Sequence, residues 1–329
     1  MRHFYSYIFE KTKTVWSIRY RTKIIWAFVF QSIIQLISIL IPDFANFISY
    51  FSRSNELQEA YGGGVRGLAL SSGTGWSLGL AYGLVYIIFA KRYLLHETNV
   101  LNIMKGILLL IGTFFAGRTG FIGAALGIIF FFISNQQNFY KKIILIFKTL
   151  ITICLSCIIF YITFPILSDH LVNNVFPFTF EPFYKLYFND EFSTDSTNTL
   201  LEMWTVSISP KEILLGCGSF TDPTSGLYYK HVDVGILRNL FYWGIIGYSL
   251  IIIYQLIQIN TIQYSKRLDV SHFNMKIYKS LIFIYLSILE FKAMTLGFNK
   301  MIFSIIFLIA YFYFQESYSK DIYIKSNYQ

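Results

Sequence analysis

Long apolar runs separated by short polar segments dominate the pattern of the chain. A membrane-spanning helix needs about 20 mainly apolar residues, because its backbone N–H and C=O groups must pair within the segment. Runs that reach or approach this length cover residues 24–41, 68–90, 143–167, 235–259, 280 to about 297, and 301–314 with their flanks. The pattern predicts an all-α integral membrane protein whose stability comes from helix packing.

A further apolar stretch, residues 106–134, is too long for one span and is interrupted by Gly117-Arg118-Thr119. An arginine in the middle of a membrane costs about 2.5–3.5 kcal/mol on insertion scales, whereas an arginine in a turn between two helices reaches the interface. We interpret the stretch as two short helices joined by this turn, and one long helix is the alternative. The paired helices bring the total to about eight spans.

The distribution of charge favours the paired helices. The 329 residues include 27 Lys and Arg and 18 Asp and Glu, so the net charge is +9 although only 14% of the chain is charged. With eight spans, eighteen of the 27 cations lie on the side of both termini, which the positive-inside rule makes cytoplasmic. One long helix would place Lys141, Lys142 and Lys148 outside, against that rule. We therefore expect a multi-pass protein with an uncleaved N-terminal anchor, whose basic residues set the topology and do not bind nucleic acid.

The segment between spans five and six, residues 168–234, has an unusual composition for a loop. It holds nine of the 18 acidic residues and many Pro, Asn, Ser, Thr and aromatic residues. Structureless loops of that length are uncommon, and disordered segments contain few aromatic residues. We predict a packed extracytoplasmic cap with a short helix over residues 198–209 that Pro210 ends. The whole chain, residues 1–329, is predicted to form one polytopic domain.

Ionisable residues at the predicted outer edge of the membrane are candidates for function, because charges at membrane depth are costly and tend to face a cavity. They are Arg66, Arg118, His231, Asp233 and Arg238. The structural alternative is that they anchor helices at the interface or form buried ion pairs. Glu290 and Lys292 are two residues apart, so they point to different helix faces and are expected to pair with other residues. The glycines at 62–64 permit either a flexible joint or close approach to a ligand.

Several common chemistries lack their motifs in this sequence. Cys154 and Cys157 have C-x-x-C spacing, but they lie in an apolar run without a second pair, and the third cysteine is Cys217, so packing is expected rather than metal binding. There is no Walker-type phosphate loop, no H-E-x-x-H and no G-x-S-x-G. What remains is a set of outer cations suited to binding phosphate by bidentate hydrogen bonds, without a metal or other cofactor.

Three glycine-containing motifs follow one another along the chain, namely GRTGFIG at residues 117–123, LLGCGSF at 214–220 and DVGILRNLFYWGIIG at 233–247. Their order resembles that of bacterial O-antigen polymerases (Wzy type) and O-antigen ligases. The first motif is similar to the family's S-R-x-G-x-x-G turn, and the other two resemble the end of its large periplasmic loop. Arg66-Gly67 and Glu290-x-Lys292 also fit, and the similarity spans residues 66–314. The chain departs from the family in having fewer spans and no arginine immediately before Trp204.

The resemblance implies a polymerase of O-antigen or another surface polysaccharide in the bacterial inner membrane. Such an enzyme transfers a glycan from undecaprenyl diphosphate to a lipid-linked repeat unit at the periplasmic face, and a chain-length regulator is a candidate partner. The expected roles are pyrophosphate binding for Arg66, Arg118 and Arg238, proton transfer for Asp233 or His231, and support for Glu290 and Lys292. The alternatives are an O-antigen ligase, a polysaccharide flippase or other transporter, and a noncatalytic assembly partner.

Overall fold

The computed structural model describes residues 22–51, 70, 75–91, 100–134, 138–170, 172–173, 176–190, 193–262, 272–297 and 299–311. All regular elements within these ranges are helical, which confirms the all-α prediction for the described part of the chain. Arg66 and the glycines at 62–64 lie outside these ranges, so their predicted roles stay predictions.

The α-helices follow one another as α1 (Thr22–Leu40), α2 (Pro42–Ser49), α3 (Trp76–Phe89), α4 (Val100–Ala116), α5 (Gly120–Ile133), α6 (Phe139–Thr163), α7 (Pro165–His170), α8 (Phe176–Thr179), α9 (Glu181–Asn189), α10 (Asp195–Met203), α11 (Pro210–Leu215), α12 (Gly235–Asn260), α13 (His272–Glu290) and α14 (Lys300–Tyr311). A 3-10 turn, Tyr229–His231, precedes α12. Within the described ranges, two helices, α1 and α12, are long and apolar enough to cross a membrane, and α3, α4, α5 and α14 are shorter apolar helices. The number of eight spans stays a prediction.

The predicted break in the stretch 106–134 is confirmed, since α4 ends at Ala116 and α5 begins at Gly120. The helix predicted over residues 280–297 lies nearer the N-terminus than expected, since it begins at His272 and ends at Glu290. Its end is stabilised by the Glu290 carboxylate, which accepts hydrogen bonds from the backbone N–H groups of Thr295 and Leu296 and so holds the following segment in a turn.

The helix predicted over residues 198–209 is also placed differently. α10 covers Asp195–Met203, and its N-terminus is capped by the Thr194 hydroxyl, which accepts a hydrogen bond from the Thr197 N–H. Pro210 does not end this helix but begins α11, because a proline in the first helical turn lacks only an N–H that would have had no helical partner.

The chain divides into two compact units. The first comprises the described parts of Met1–Cys154, Gln258–Ile282 and Lys300–Gln329, and the second comprises those of Leu155–Ile257 and Phe283–Asn299. The first unit contains the short apolar helices, and the second contains the predicted cap.

Helix α3 forms the centre of the first unit, and nearly all of its residues are buried. It packs closely against α5 because glycines face each other on the two helices. A Cβ added at Gly120 would lie 2.6 Å from the Gly79 carbonyl oxygen, and one added at Gly123 would overlap the backbone of Gly83. In a membrane, where lipid competes with apolar side chains, such close approach of backbones supplies the van der Waals contact that holds helices together.

A buried polar contact joins α1 to α3 in the same unit. The Tyr82 hydroxyl lies 3.0 Å from the Ser32 hydroxyl and donates a hydrogen bond to the Gln35 side-chain oxygen at 3.1 Å. All three side chains are fully buried. The contact satisfies groups that would otherwise be costly in an apolar interior.

An apolar core lies between the cap and the start of α12 in the second unit. Val232, Val234, Leu237 and Phe241 are buried at its centre. Side chains from α10 and the segment after it pack against them, namely Leu200, Met203, Val206 and Ile208. The core therefore connects the end of the cap to the first two turns of α12.

We expect Gly123→Ala to lower the melting temperature of the detergent-solubilised protein, because its new methyl group would overlap the Gly83 backbone. Overpacking of this kind typically costs about 1–3 kcal/mol. The measurement is a thermal unfolding curve followed by fluorescence or by loss of soluble protein.

Gly117→Ala is the matched control for this substitution. A Cβ there meets its nearest atom at 3.5 Å, an ordinary contact distance, so its melting temperature should remain close to that of the wild type. Equal melting temperatures for all three proteins would contradict the close packing of α3 and α5.

Candidate functional site

An ion pair lies where the cap meets the start of α12. The Arg238 Nη1 atom is 3.1 Å from Oδ1 of Asp233, which precedes the helix by two residues. The Asp233 N–H donates to the Met203 sulfur at 3.3 Å, and the Arg238 N–H donates to the Val234 carbonyl at 2.9 Å. The pair is therefore fixed by α10 on one side and by the first turn of α12 on the other.

Aromatic rings surround the guanidinium group of Arg238. Its central carbon lies 3.9 Å from the Tyr228 ring centroid and 5.8 Å from that of Phe220. The side chain is only 13% exposed, and within the described residues its Nε atom is buried without a hydrogen-bond partner. A guanidinium has five N–H donors, and because Nε is enclosed, Asp233 and an anion would share the four donors of the two terminal nitrogens.

The Asp233 carboxylate is more open than its partner, with 44% of its side chain exposed. Partial burial raises the pKa of Asp233 above its usual range, and the nearby charges of Arg238 and Lys292 oppose that increase. A carboxylate with raised proton affinity that is still reachable from solvent can act as a proton acceptor. The structure thus brings together three predicted site residues, Asp233, Arg238 and Lys292.

His231 lies nearby in the sequence but faces another neighbour. It is exposed, and its charge contributes to lowering the pKa of Asp222, although hydrogen bonds from Thr224 are the larger cause. Among the described residues no hydrogen bond or ion pair joins His231 to Asp233. This geometry favours Asp233 as the proton acceptor.

A second charged network, which the sequence analysis missed, supports the end of the cap. Lys230 Nζ lies 2.9 Å from Oε1 of Glu212, and it also donates to the Ser207 carbonyl at 2.9 Å. The Tyr229 hydroxyl donates to the same Glu212 oxygen at 2.9 Å. Its signal in the sequence was Ser209-x-x-Glu212, a capping box at the start of α11.

The network changes the acidity of its members and holds a strained backbone. A hydrogen bond from the Ser209 backbone, with others from Lys230 and Tyr229, lowers the pKa of Glu212 to about 2. The hydrogen bond to Glu212 is the main cause that raises the pKa of Tyr229 to about 12.

Lys230 and His231 both have positive φ, 53° and 57°, which costs energy for residues with a side chain. The ion pair at Glu212 offsets that cost.

A break in α12 joins the helix to the cap. Gly244 has φ 63° and ψ −179°, so the helical hydrogen bonds are interrupted there. The Cys217 N–H donates to the Phe241 carbonyl at 2.5 Å, and the Gly218 N–H donates to the Tyr242 carbonyl at 3.2 Å. We call this contact the glycine seam, because the backbone of Gly216 lies directly against that of Gly244.

The glycine seam also places an aromatic ring beside the ion pair. Phe220, just after the seam, stacks on Tyr242 with ring centroids 3.9 Å apart and an interplanar angle of 8°. The two segments whose sequences resemble the family's loop, 214–220 and 233–247, are therefore in direct contact.

Glu290 is buried, with a relative exposure of 1%. Its oxygens accept hydrogen bonds from Asn239 Nδ2 at 2.6 Å and from the N–H groups of Thr295 and Leu296 at 2.6 and 2.8 Å. It fixes the turn that contains Lys292 and ties that turn to the residue after Arg238. These contacts indicate a positioning role for Glu290.

Arg118 belongs to the first unit, where it lies half-buried in the turn between α4 and α5. The Phe121 N–H donates to its carbonyl at 3.1 Å, so the turn continues directly into α5. The structure describes it in the turn that the sequence predicted.

No group of three or more His, Cys, Asp or Glu side chains in the described ranges is arranged to hold a metal ion. Comparison of the chain with protein-family models, curated proteins and solved structures found no match. A functional interpretation therefore depends on the motifs and on the geometry given above.

We expect the Glu212 network to be intact from neutral pH to about pH 4.5 and to weaken as the pH falls towards 2. The folded-state pKa of Glu212 is about 2 against a usual value of 4.5, so its carboxylate stabilises the cap above the unfolded pKa. That contribution is lost as the pH falls through the folded-state pKa. Pepsin cleavage between residues 207 and 231, mapped by mass spectrometry and scaled to an unfolded reference peptide, measures the opening of the cap.

Glu212→Gln and Glu202→Gln separate this network from general effects of acid. The first variant should already be cleaved faster than the wild type at pH 4.5, whereas the second changes an exposed carboxylate and should follow the wild type. A wild-type cleavage rate that stays constant between pH 4.5 and 2 would show that Glu212 does not support the cap.

Proposed function

We propose that the chain is an inner-membrane polymerase of O-antigen or a related surface polysaccharide. It transfers a glycan from undecaprenyl diphosphate to a lipid-linked repeat unit at the periplasmic face. The observation that supports this best is the Asp233–Arg238 pair, where a guanidinium group lies beside a partly exposed carboxylate. The motif resemblance at residues 117–123, 214–220 and 233–247 supports the choice of substrate.

The membrane location is supported by where the apolar side chains lie. The apolar side chains of a core helix in a water-soluble protein would be buried, but those of α12 are exposed from Ile245 to Ile257. Large apolar side chains are also exposed along α6, from Ile143 to Ile162. Apolar surface of this extent is unfavourable in water and suits lipid. We propose eight spans with both termini in the cytoplasm.

The proposed reaction forms one bond and breaks one. The oxygen of the acceptor hydroxyl attacks the anomeric carbon of the donor glycan, and Asp233 accepts the proton of that hydroxyl. The bond between the anomeric carbon and the diphosphate oxygen breaks, and undecaprenyl diphosphate leaves with the electron pair. Stabilising charge on the leaving group is the main electrostatic task, which we assign to Arg238 in the second unit. Diphosphate binding by Arg118 and Arg66 stays a prediction from the motif resemblance.

The ion pair makes binding of the donor diphosphate precede proton transfer to Asp233. A bound diphosphate shares the Arg238 guanidinium with Asp233, and a carboxylate whose neighbouring cation is partly neutralised becomes more basic. Donor binding therefore prepares Asp233 to accept a proton. Lys292, whose charge also acts on Asp233, balances the charge of the diphosphate.

We expect deletion of the gene to remove the long polysaccharide ladder from a gel of surface polysaccharide while a single attached repeat remains. Loss of all attached repeats would instead show a ligase, which uses the same donor and would use the same ion pair. An unchanged ladder would exclude both activities.

Complementation with site variants tests the residues. Arg238→Ala and Asp233→Asn should each lower polymerisation in membranes by about 10²-fold or more, the usual effect of losing an electrostatic stabiliser or a general base. Arg238→Lys should restore little, since lysine lacks the planar fork that binds phosphate bidentately. Lys148→Ala, which removes an exposed lysine of α6, is the control. A normal ladder with normally expressed Arg238→Ala protein would contradict the assignment of Arg238 to the site.

The eight-span topology has a separate test. A reporter that is active only in the periplasm should be inactive when fused after Gln137 and active when fused after Ser225 in the cap. Activity after Gln137 would favour a single long helix over residues 106–134 and would overturn the paired-helix topology.

A further inference from the structure

We propose that helix α11 of the cap inserts into the outer membrane interface and contacts lipid acyl chains beside α12. The inference depends on membrane insertion of α12 and does not require the proposed enzymatic activity.

Helix α11 has one polar side that faces the cap and one apolar side that does not. Glu212 is directed inwards to Lys230 and Tyr229. The next residues, Ile213, Leu214 and Leu215, point outwards, and Leu214 and Leu215 are 55% and 65% exposed. Three successive large apolar side chains on the surface of a cap surrounded only by water would be unfavourable.

The exposed side of α11 continues the exposed side of α12. The glycine seam places Leu214 and Gly216 directly against Gly244, where α12 resumes after its break. From there the outward residues of α12 are apolar, beginning with Trp243, Ile245 and Ile246 and continuing through Leu250 to Ile257. This continuity indicates that lipid contacts α11, because a lipid layer that covers the face of α12 also meets Leu214 and Leu215.

The composition around the junction matches a membrane interface. Trp243 is 39% exposed at the start of the apolar face, and tryptophan is enriched where hydrocarbon meets the headgroups. Lys211, at the other end of α11, is exposed and long enough to reach the headgroup phosphates. The short helix therefore has a charged N-terminal end, which suits the headgroups, and an apolar C-terminal end, which suits the acyl chains.

Site-directed spin labelling of the full chain in lipid nanodiscs tests this contact. Cys154, Cys157 and Cys217 are replaced by Ser, and a nitroxide is attached to Leu215→Cys or Leu214→Cys. Collision with oxygen, which concentrates in lipid, is compared with collision with a water-soluble nickel chelate. We expect the oxygen-to-nickel ratio at Leu215 to be several-fold higher than at Leu227, a leucine with similar exposure elsewhere in the cap.

Leu250→Cys on α12 is the control for membrane insertion. A lipid signal at Leu250 with a water signal at both Leu214 and Leu215 overturns the inference alone. A water signal at all three positions overturns both the inference and the membrane location. Low collision with both reagents, with broadening from a second label, shows a second copy of the chain at this surface and also overturns lipid contact.

Discussion

The pairing of backbone groups at the glycine seam is the constraint on which the rest of the second unit depends. A break in an apolar helix leaves carbonyl groups without their helical partners, and such groups are costly where water is scarce. In α12 the Phe241 and Tyr242 carbonyls accept the N–H groups of Cys217 and Gly218 instead. The cap is thus attached to α12 by hydrogen bonds that the helix itself requires. Side chains at Gly216 or Gly244 would prevent this, because both have positive φ and their backbones are in contact.

The position of Arg238 follows from the seam. Phe220 stacks on Tyr242 just beyond the hydrogen-bonded residues, and the chain returns through the bridge between Thr221 and Tyr228. Tyr228 then covers the guanidinium group, which keeps it extended towards Asp233. The strain at Lys230 lies in the short segment between Tyr228 and α12, where the chain must change direction. The ion pair between Lys230 and Glu212 stabilises this change of direction. The strained backbone is therefore supported by residues of the cap and not by Asp233 or Arg238.

Local sequence was sufficient to predict one helix break and the location of the ion pair, but not the Lys230–Glu212 contact or two of the helix boundaries. The break at Gly117-Arg118-Thr119 was predictable because a single charge interrupts an apolar run, and the proximity of Asp233 to Arg238 was predictable because both lie at one helix start. The Lys230–Glu212 pair depends on chain folding across eighteen residues, which no local pattern reports. Pro210 was misassigned because a proline suits the first turn of one helix as well as the end of another. The end of α13 was misplaced because Glu290, an apparent charge within a span, accepts backbone N–H groups and terminates the helix.

Asp233 and Glu290, two acids of the second unit, show why geometry assigns different roles to chemically similar groups. Both Glu290 oxygens already accept hydrogen bonds from neutral N–H donors, and the side chain is 1% exposed, so a substrate hydroxyl has no route to it. Asp233 uses one oxygen for Arg238 and remains 44% exposed. Proton transfer with a substrate requires an oxygen that is both reachable and held in place, and Asp233 meets both conditions. Glu290 meets only the second, and its effect on chemistry must pass through the turn that places Lys292 near Asp233.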